Sequence, residues 1–338
     1  MNGRNPVYDH AKLVLIFLVV LGHLIEPYIV KSRMLEGVFN FIYLFHMPAF
    51  IFISGYFSKA ELTVRTGLKL LGDYLVLFVF IQLVFVAVMK GIGMDQYQFL
   101  TFQPAYIYWY LFAMFAWSLI LPAGLQLARF TKFGVGHIVV ISVLIALIAG
   151  YVEQIGWMFS LSRILVFFPF FVLGYYFKSQ NWTIYQAFPN RKMAVSVMMI
   201  VALMIWIWPN LFQFGLLSGA NSYFKMGLDE TGLILRLVLY MIQCLMIMAF
   251  FTLLPRKPFV FSHLGTKTLT IYILHGFLVK GLVAASYFDE LTIGRVLFLP
   301  VLAVVLVMVL GRLPIRFQLS PYILKQTNRE KKNKEKVS

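Results

Sequence analysis

Polar side chains fall in short clusters along this chain, and between the clusters run apolar stretches of about twenty residues, the length a helix needs to cross a bilayer core. The pattern predicts ten such helices, at residues 11–30, 37–57, 68–89, 105–127, 135–152, 160–177, 193–214, 231–254, 268–288 and 296–315. No small-residue cleavage site follows the first, so it is expected to be retained as a helix and not removed as a signal peptide. The expected fold is an all-α polytopic membrane protein, a bundle of about ten transmembrane helices occupying residues 1–320. Residues 321–338, containing "KQTNREKKNKEKVS", are polar, basic and without apolar periodicity, and are expected to form a disordered cytoplasmic tail.

Composition agrees with that picture. Of 338 residues, 61% are hydrophobic and only 12% charged, against roughly a quarter charged in soluble domains. The net charge of +16 does not imply nucleic acid, because no basic stripe interleaved with exposed aromatics occurs. It reflects orientation instead. Twenty Lys and Arg fall at the ends and loops on the side of the N-terminus, including Arg4, Lys59, Arg65, Lys69, Lys132 and the tail from Arg312. Five fall on the opposite side, namely Lys31, Arg33, Lys90, Lys225 and Arg295. Positive residues are held on the cytoplasmic face during insertion, which predicts N-in and C-in in a multi-pass protein of a bacterial plasma membrane. Membrane lipids are expected neighbours, anionic heads near the tail among them, and a homo-oligomer is compatible with the chain. Cys244 is the single cysteine, which excludes an internal disulfide and a thiolate-rich metal site. No internal repeat of useful length is visible, and no soluble domain fits on either side, so any chemistry belongs within or at the mouth of the bundle.

Against this background "KLVLIFLVVLGH" stands out, with Lys12 and His23 at the two ends of ten uncharged residues. Eleven helical steps make three turns plus about 20°, so the two side chains share one face about 16 Å apart. Asp9 precedes Lys12 by three residues and Glu26 follows His23 by three, which lets a carboxylate reach each end. Lys12 can simply snorkel beside Asp9, and His23 can be a packing histidine, but ionisable groups deep in a span commonly face a polar interior or pathway. Further along, His46 lies two residues before Pro48, which is expected to open the backbone locally, and Ser54 with Gly55 forms a small pair suited to close helix approach. Arg163 lies near the outer boundary of the sixth stretch, and His275 is deep in the ninth. The deep histidines His23, His46 and His275 belong to different stretches, with no second histidine three or four residues from any of them, so no metal site is expected. No G-x-S-x-G elbow accompanies Ser54.

Several of these motifs together resemble the acyltransferase-three family of integral-membrane acyltransferases, and most closely its fucose 4-O-acetylase-like branch. The resemblance rests on "YDHAKLVLIFLVVLGHLIEPY", "FIYLFHMPAFIFISGYFSK", "YWYLFAMFAW" around Trp109, "SRILVFFPFFVLGYYFK" and "TIYILHGF". It implies a ten-helix protein that takes an acyl group, usually acetyl from cytoplasmic acetyl-CoA, to a sugar hydroxyl of a cell-surface glycan or its lipid-linked precursor. Lys12 then matches the basic position and His23 the essential histidine of an Arg/Lys-x10-His motif, while His46, Arg163 and His275 match further polar positions. Lysine stands where arginine is common, which removes the fork-like recognition of anions. An extracytoplasmic hydrolase-like domain carried by some members is not expected.

Sugar hydroxyls ionise far above neutrality, so attack on a thioester needs a positioned base, and histidine suits work near pH 7. On this reading His23 is the base and Glu26 its orienting acid. Lys12, Arg65 and Lys69 hold acetyl-CoA, a donor substrate in a protein with no permanently bound cofactor. Asp9, His46, Ser54, Trp109, Arg163 and His275 line the cavity and position donor or acceptor. The alternative is a proton-coupled transporter or flippase of glycan precursors, in which the same intramembrane Lys and His would carry protons.

Overall fold

In the computed structural model, residues 5–98, 103–131, 133–156, 158–315 and 317 are described, and among them every regular element is helical. The basic tail at 321–338 lies outside the described residues, as do Arg4 and Lys132 of the charge pattern. The α-helices are α1 (Pro6–Ile25), α2 (Arg33–Tyr56), α3 (Val64–Leu70), α4 (Leu77–Gly91), α5 (Trp109–Thr131), α6 (Val135–Ala149), α7 (Leu161–Ser179), α8 (Arg191–Ile207), α9 (Phe214–Ser218), α10 (Gly232–Leu253), α11 (Thr268–Ala284) and α12 (Ile293–Arg312).

Seven helical segments of the described residues are long and apolar enough to cross a membrane, or nine if each of two bent pairs is one span. The chain is therefore a polytopic helical membrane protein. Three of the ten expected helices differ in form. The 193–214 stretch is broken: α8 ends at Ile207, and the following Pro209–Ser218 segment turns away by 107°. Pro209 has no amide hydrogen to continue the ladder and disfavours helical backbone at Trp208, which adopts φ −125° and ψ 65°. The 268–288 stretch is preceded by a 3-10 segment, Val260–Thr266, bent by 78° from α11. The 135–152 stretch yields only α6, whose 15 residues span about 22 Å at 1.5 Å per residue, short of a 30 Å hydrocarbon core.

The buried middle of the bundle is built on α1 and α2. α1 packs on α2, α11, α12 and the Val260–Thr266 turn, while α2 also meets α7, α8 and α10. Glycines bring α2 and α7 together backbone to backbone: a Cβ on Gly55 would lie 1.9 Å from the Phe171 carbonyl oxygen, and one on Gly174 2.0 Å from that of Phe52. This contact fixes the wall on which His46 and Arg163 sit. α2 runs unbroken through Pro48, so the expected local opening takes a milder form than a helix break. At one end of α1, His10 is held between the Pro255 carbonyl at 2.8 Å and the Ser262 hydroxyl at 2.7 Å, tying the helix to the Val260–Thr266 turn. Between α3 and α4 the chain widens into a π-helical stretch, Leu71–Val76, a form frequent at functional sites.

Candidate active site

His23 is in the last turn of α1, and the chain then tightens into a 3-10 turn, Glu26–Tyr28, with Pro27 in its first turn. That turn presents the Glu26 carboxylate to the preceding helical turn, where Oε2 lies 2.9 Å from His23 Nδ1. A carboxylate only accepts, so the imidazole donates through Nδ1 and keeps Nε2 for another partner. α2 brings the Tyr43 hydroxyl within 3.2 Å of the same Nδ1, with the Tyr43 ring stacked on Phe39 at 3.8 Å. Two further imidazoles stand close by. His46 Nδ1 donates to the Ile42 carbonyl at 2.8 Å and His275 Nδ1 to the Ile271 carbonyl at 3.0 Å. Each bond joins a histidine to the carbonyl one helical turn before it and leaves Nε2 as the outer nitrogen. The His275 ring is fully buried, 5.6 Å from that of His23.

These groups surround a cavity of about 340 Å3, within the usual range for small-molecule sites. His23, Glu26, Tyr43, His46, Trp109 and Arg163 line it, with Arg163 stacked on Trp109 at 5.1 Å from the ring centroid. Loop residues also line it, among them Gln96, Tyr97, Gln98, Gln103 and Tyr106. The loop is tethered: Gln82 on α4 donates to the Gln103 carbonyl at 3.1 Å and accepts from the Ala105 amide at 2.8 Å, and the Tyr272 hydroxyl donates to the Ile107 carbonyl. Burial, then the Glu26 charge, push the Tyr97 hydroxyl up to about 12, so it stays a hydrogen-bond donor at neutral pH.

Lys12, near the other end of α1, ion-pairs with Asp9 at 2.8 Å. The pair lines a larger vestibule of about 870 Å3 with Phe57, Lys59, Glu61, Lys69 and Asp73. The π-helical stretch contributes Asp73 and Tyr74 to this wall. A third space of about 190 Å3 lies between the two sites. It shares Lys12, Ser54 and Tyr74 with the vestibule, and Val19, Met47 and Tyr272 with the His23 cavity. Ser54 bonds the Tyr110 hydroxyl at 2.7 Å and donates to the Phe50 carbonyl at 3.0 Å, so it is a polar wall residue as well as part of a small pair. A line of cavity walls thus joins Lys12 to His23.

Of the residues singled out in the sequence, the structure brings His23, Glu26, His46, Trp109 and Arg163 around one cavity, with His275 packed behind His23. Asp9, Lys12, Ser54 and Lys69 gather at the vestibule. Arg65 differs from expectation: it is exposed on α3 and outside the vestibule lining, where Lys59 stands instead, because the α3 turn carrying Thr66 and Lys69 faces inward. Sequence reasoning missed Tyr43, Tyr106 and Lys280, whose ammonium lies 4.1 Å over the Tyr106 ring. Tyr43 had a readable signal, three residues before His46 and so on the same helical face. The loop residues had none.

Comparison with known proteins places the architecture. A family model described as an acyltransferase domain, the third of that name, matches residues 5–312, nearly the whole chain. The chain belongs to the acyltransferase-three family. Among curated proteins, Nodulation protein NolL of Sinorhizobium fredii is 39% identical over 75 residues, covering 21% of this chain and 20% of that protein. Nodulation protein NolL of Mesorhizobium japonicum is 37% identical over 75 residues, with the same coverage. The match thus spans about a fifth of those relatives' length. No solved structure matches the chain.

Proposed function

We propose that this family member is a membrane O-acetyltransferase that moves acetyl from acetyl-CoA to a sugar hydroxyl of a cell-surface glycan or its lipid-linked precursor, in the manner of the fucose 4-O-acetylase-like branch. The observation that carries the reading is the His23–Glu26 pair, 2.9 Å apart, in a cavity whose walls continue to the vestibule at Lys12. His23 Nε2 takes the hydroxyl proton as the sugar oxygen attacks the thioester carbonyl, while Glu26 holds Nδ1–H and stabilises the imidazolium. Arg163 on the cavity wall and the Tyr97 hydroxyl are donors for the oxyanion of the tetrahedral intermediate. The intermediate then expels the coenzyme A thiolate, and the proton on His23 passes to sulfur.

The donor enters from the Lys12 end, a reading supported by the excess of Lys and Arg on that side, the pattern expected of a cytoplasmic face. The acceptor enters at the His23 end, where Gln96, Gln98 and Gln103 offer amides and Tyr97, Tyr106 and Trp109 offer ring faces, a lining suited to sugar hydroxyls and C–H surfaces. The test is transfer itself. Purified protein incubated with acetyl-CoA and a panel of oligosaccharides should form an O-acetylated sugar and free coenzyme A in equal amounts. Acetyl-CoA should also raise the temperature of unfolding by preferential binding to the native state. A chain that forms no acetylated product and gains no stability from acetyl-CoA, but moves glycan precursors across liposomes, is the transporter.

A further inference from the structure

The vestibule at Lys12 holds an aromatic ring that the transfer chemistry does not use. Phe57 follows the last residue of α2 and is 56% exposed, yet it lines the vestibule. Two neighbours fix the ring by edge contacts, Tyr8 at 5.2 Å and Tyr56 at 5.3 Å, each near 78°. Tyr8 and Tyr56 stack on each other at 4.6 Å and the Lys12 ammonium lies over the Phe57 ring, 5.8 Å from its centroid, so Phe57 is the exposed end of a three-ring cluster beside a cation.

The charges around it are balanced. Among the described lining residues, Lys12, Lys59 and Lys69 are offset by Asp9, Glu61 and Asp73, and Lys12 is ion-paired with Asp9. A site that gripped a polyphosphate chiefly by charge would carry an excess of cations. This one has lysines to place phosphates and no such excess, so its affinity must come from elsewhere. At about 870 Å3 it lies within the range of small-molecule sites and has space for a nucleotide.

Resting on the reading that the donor is a coenzyme A thioester, we infer that Phe57 is the platform on which the donor's adenine stacks, and that stacking contributes more to the nucleotide-end affinity than net charge does. Lys59 and Lys69 then set the register of the phosphates, and the pantetheine arm runs inward past Ser54 and Met47 toward His23. The third cavity is smaller and mostly apolar in its lining, which suits an unbranched chain.

The experiment is binding of three probes, coenzyme A, ADP and pantetheine, to the purified full chain in detergent by calorimetry. Phe57→Leu keeps an apolar side chain and removes the ring, while Phe57→Trp keeps a ring face. Phe57→Leu should weaken coenzyme A and ADP by roughly tenfold or more, the usual worth of base stacking, and leave pantetheine unchanged; Phe57→Trp should stay within about twofold of the parent. Raised salt should cost less affinity than Phe57→Leu does. Unchanged ADP binding in Phe57→Leu, with the loss appearing instead in Lys59→Gln and Lys69→Gln, overturns the platform and leaves the donor reading standing. Equal weakening of pantetheine also overturns it, since that signals general damage. A parent chain that binds neither coenzyme A nor ADP overturns the platform and the donor reading together.

Discussion

At the residue scale the His23 imidazole has different company at its two nitrogens. Nδ1 is held by Glu26 at 2.9 Å, and the ring borders the cavity with Nε2 left for a reacting group. The role given to Glu26 is positioning, so its loss should affect turnover more than binding. Glu26→Gln keeps an acceptor at that place but removes the charge that stabilises the imidazolium. Turnover should fall by about 10- to 100-fold with KM little changed, and Glu26→Asp should recover part of the loss. A fall in donor affinity with turnover preserved would make Glu26 a binding residue instead. Lys12, His23 and Glu26 were legible in the sequence because one helix and its first following turn hold all three, so spacing alone fixes their faces. Tyr43 shares a helical face with His46, but that it and Arg163 reach the His23 cavity depends on α2 packing against α1 and α7 against α2, which no local pattern encodes.

At the scale of elements, the wall facing His23 depends on how closely α2 approaches α7. Replacing a helical glycine by alanine normally gains about 1 kcal/mol of helix propensity. At Gly55 the new Cβ would stand 1.9 Å from a backbone oxygen of α7, which no side-chain rotation can relieve. Overpacking of about 1–3 kcal/mol or more then outweighs the propensity gain. Gly55→Ala and Gly174→Ala should each lower the melting temperature in detergent, whereas Gly67→Ala on α3, with nothing within 4 Å, should leave it unchanged or raise it. A Gly55→Ala protein melting with the parent would contradict the backbone contact. Apolar stretches were easy to find in the sequence because hydrophobic length is a local property. The bends after α8 and before α11 and the shortness of α6 were not, because a stretch of apolar residues reads the same whether it is straight, broken or partial. Pro209 marked one bend; the widening at Leu71–Val76 had no comparable residue signal.

For the whole molecule, three cavities lie in series along one helix of an acyltransferase-family chain. Vestibule, middle space and His23 cavity share walls along α1, with polar groups at each end and apolar residues such as Val19, Met47, Phe50 and Met114 between them. On the proposed mechanism an acyl group delivered along that line meets its base at the far end, with donor binding and proton transfer assigned to residues about three helical turns apart. The most direct test measures acetyl-CoA binding and acetyl transfer in parallel on purified, monodisperse parent and His23→Ala protein of matched melting temperature. Turnover should be lower by about 100-fold or more with acetyl-CoA affinity nearly unchanged; a folded His23→Ala protein that transfers acetyl at close to the parental rate would remove His23 from the role of base.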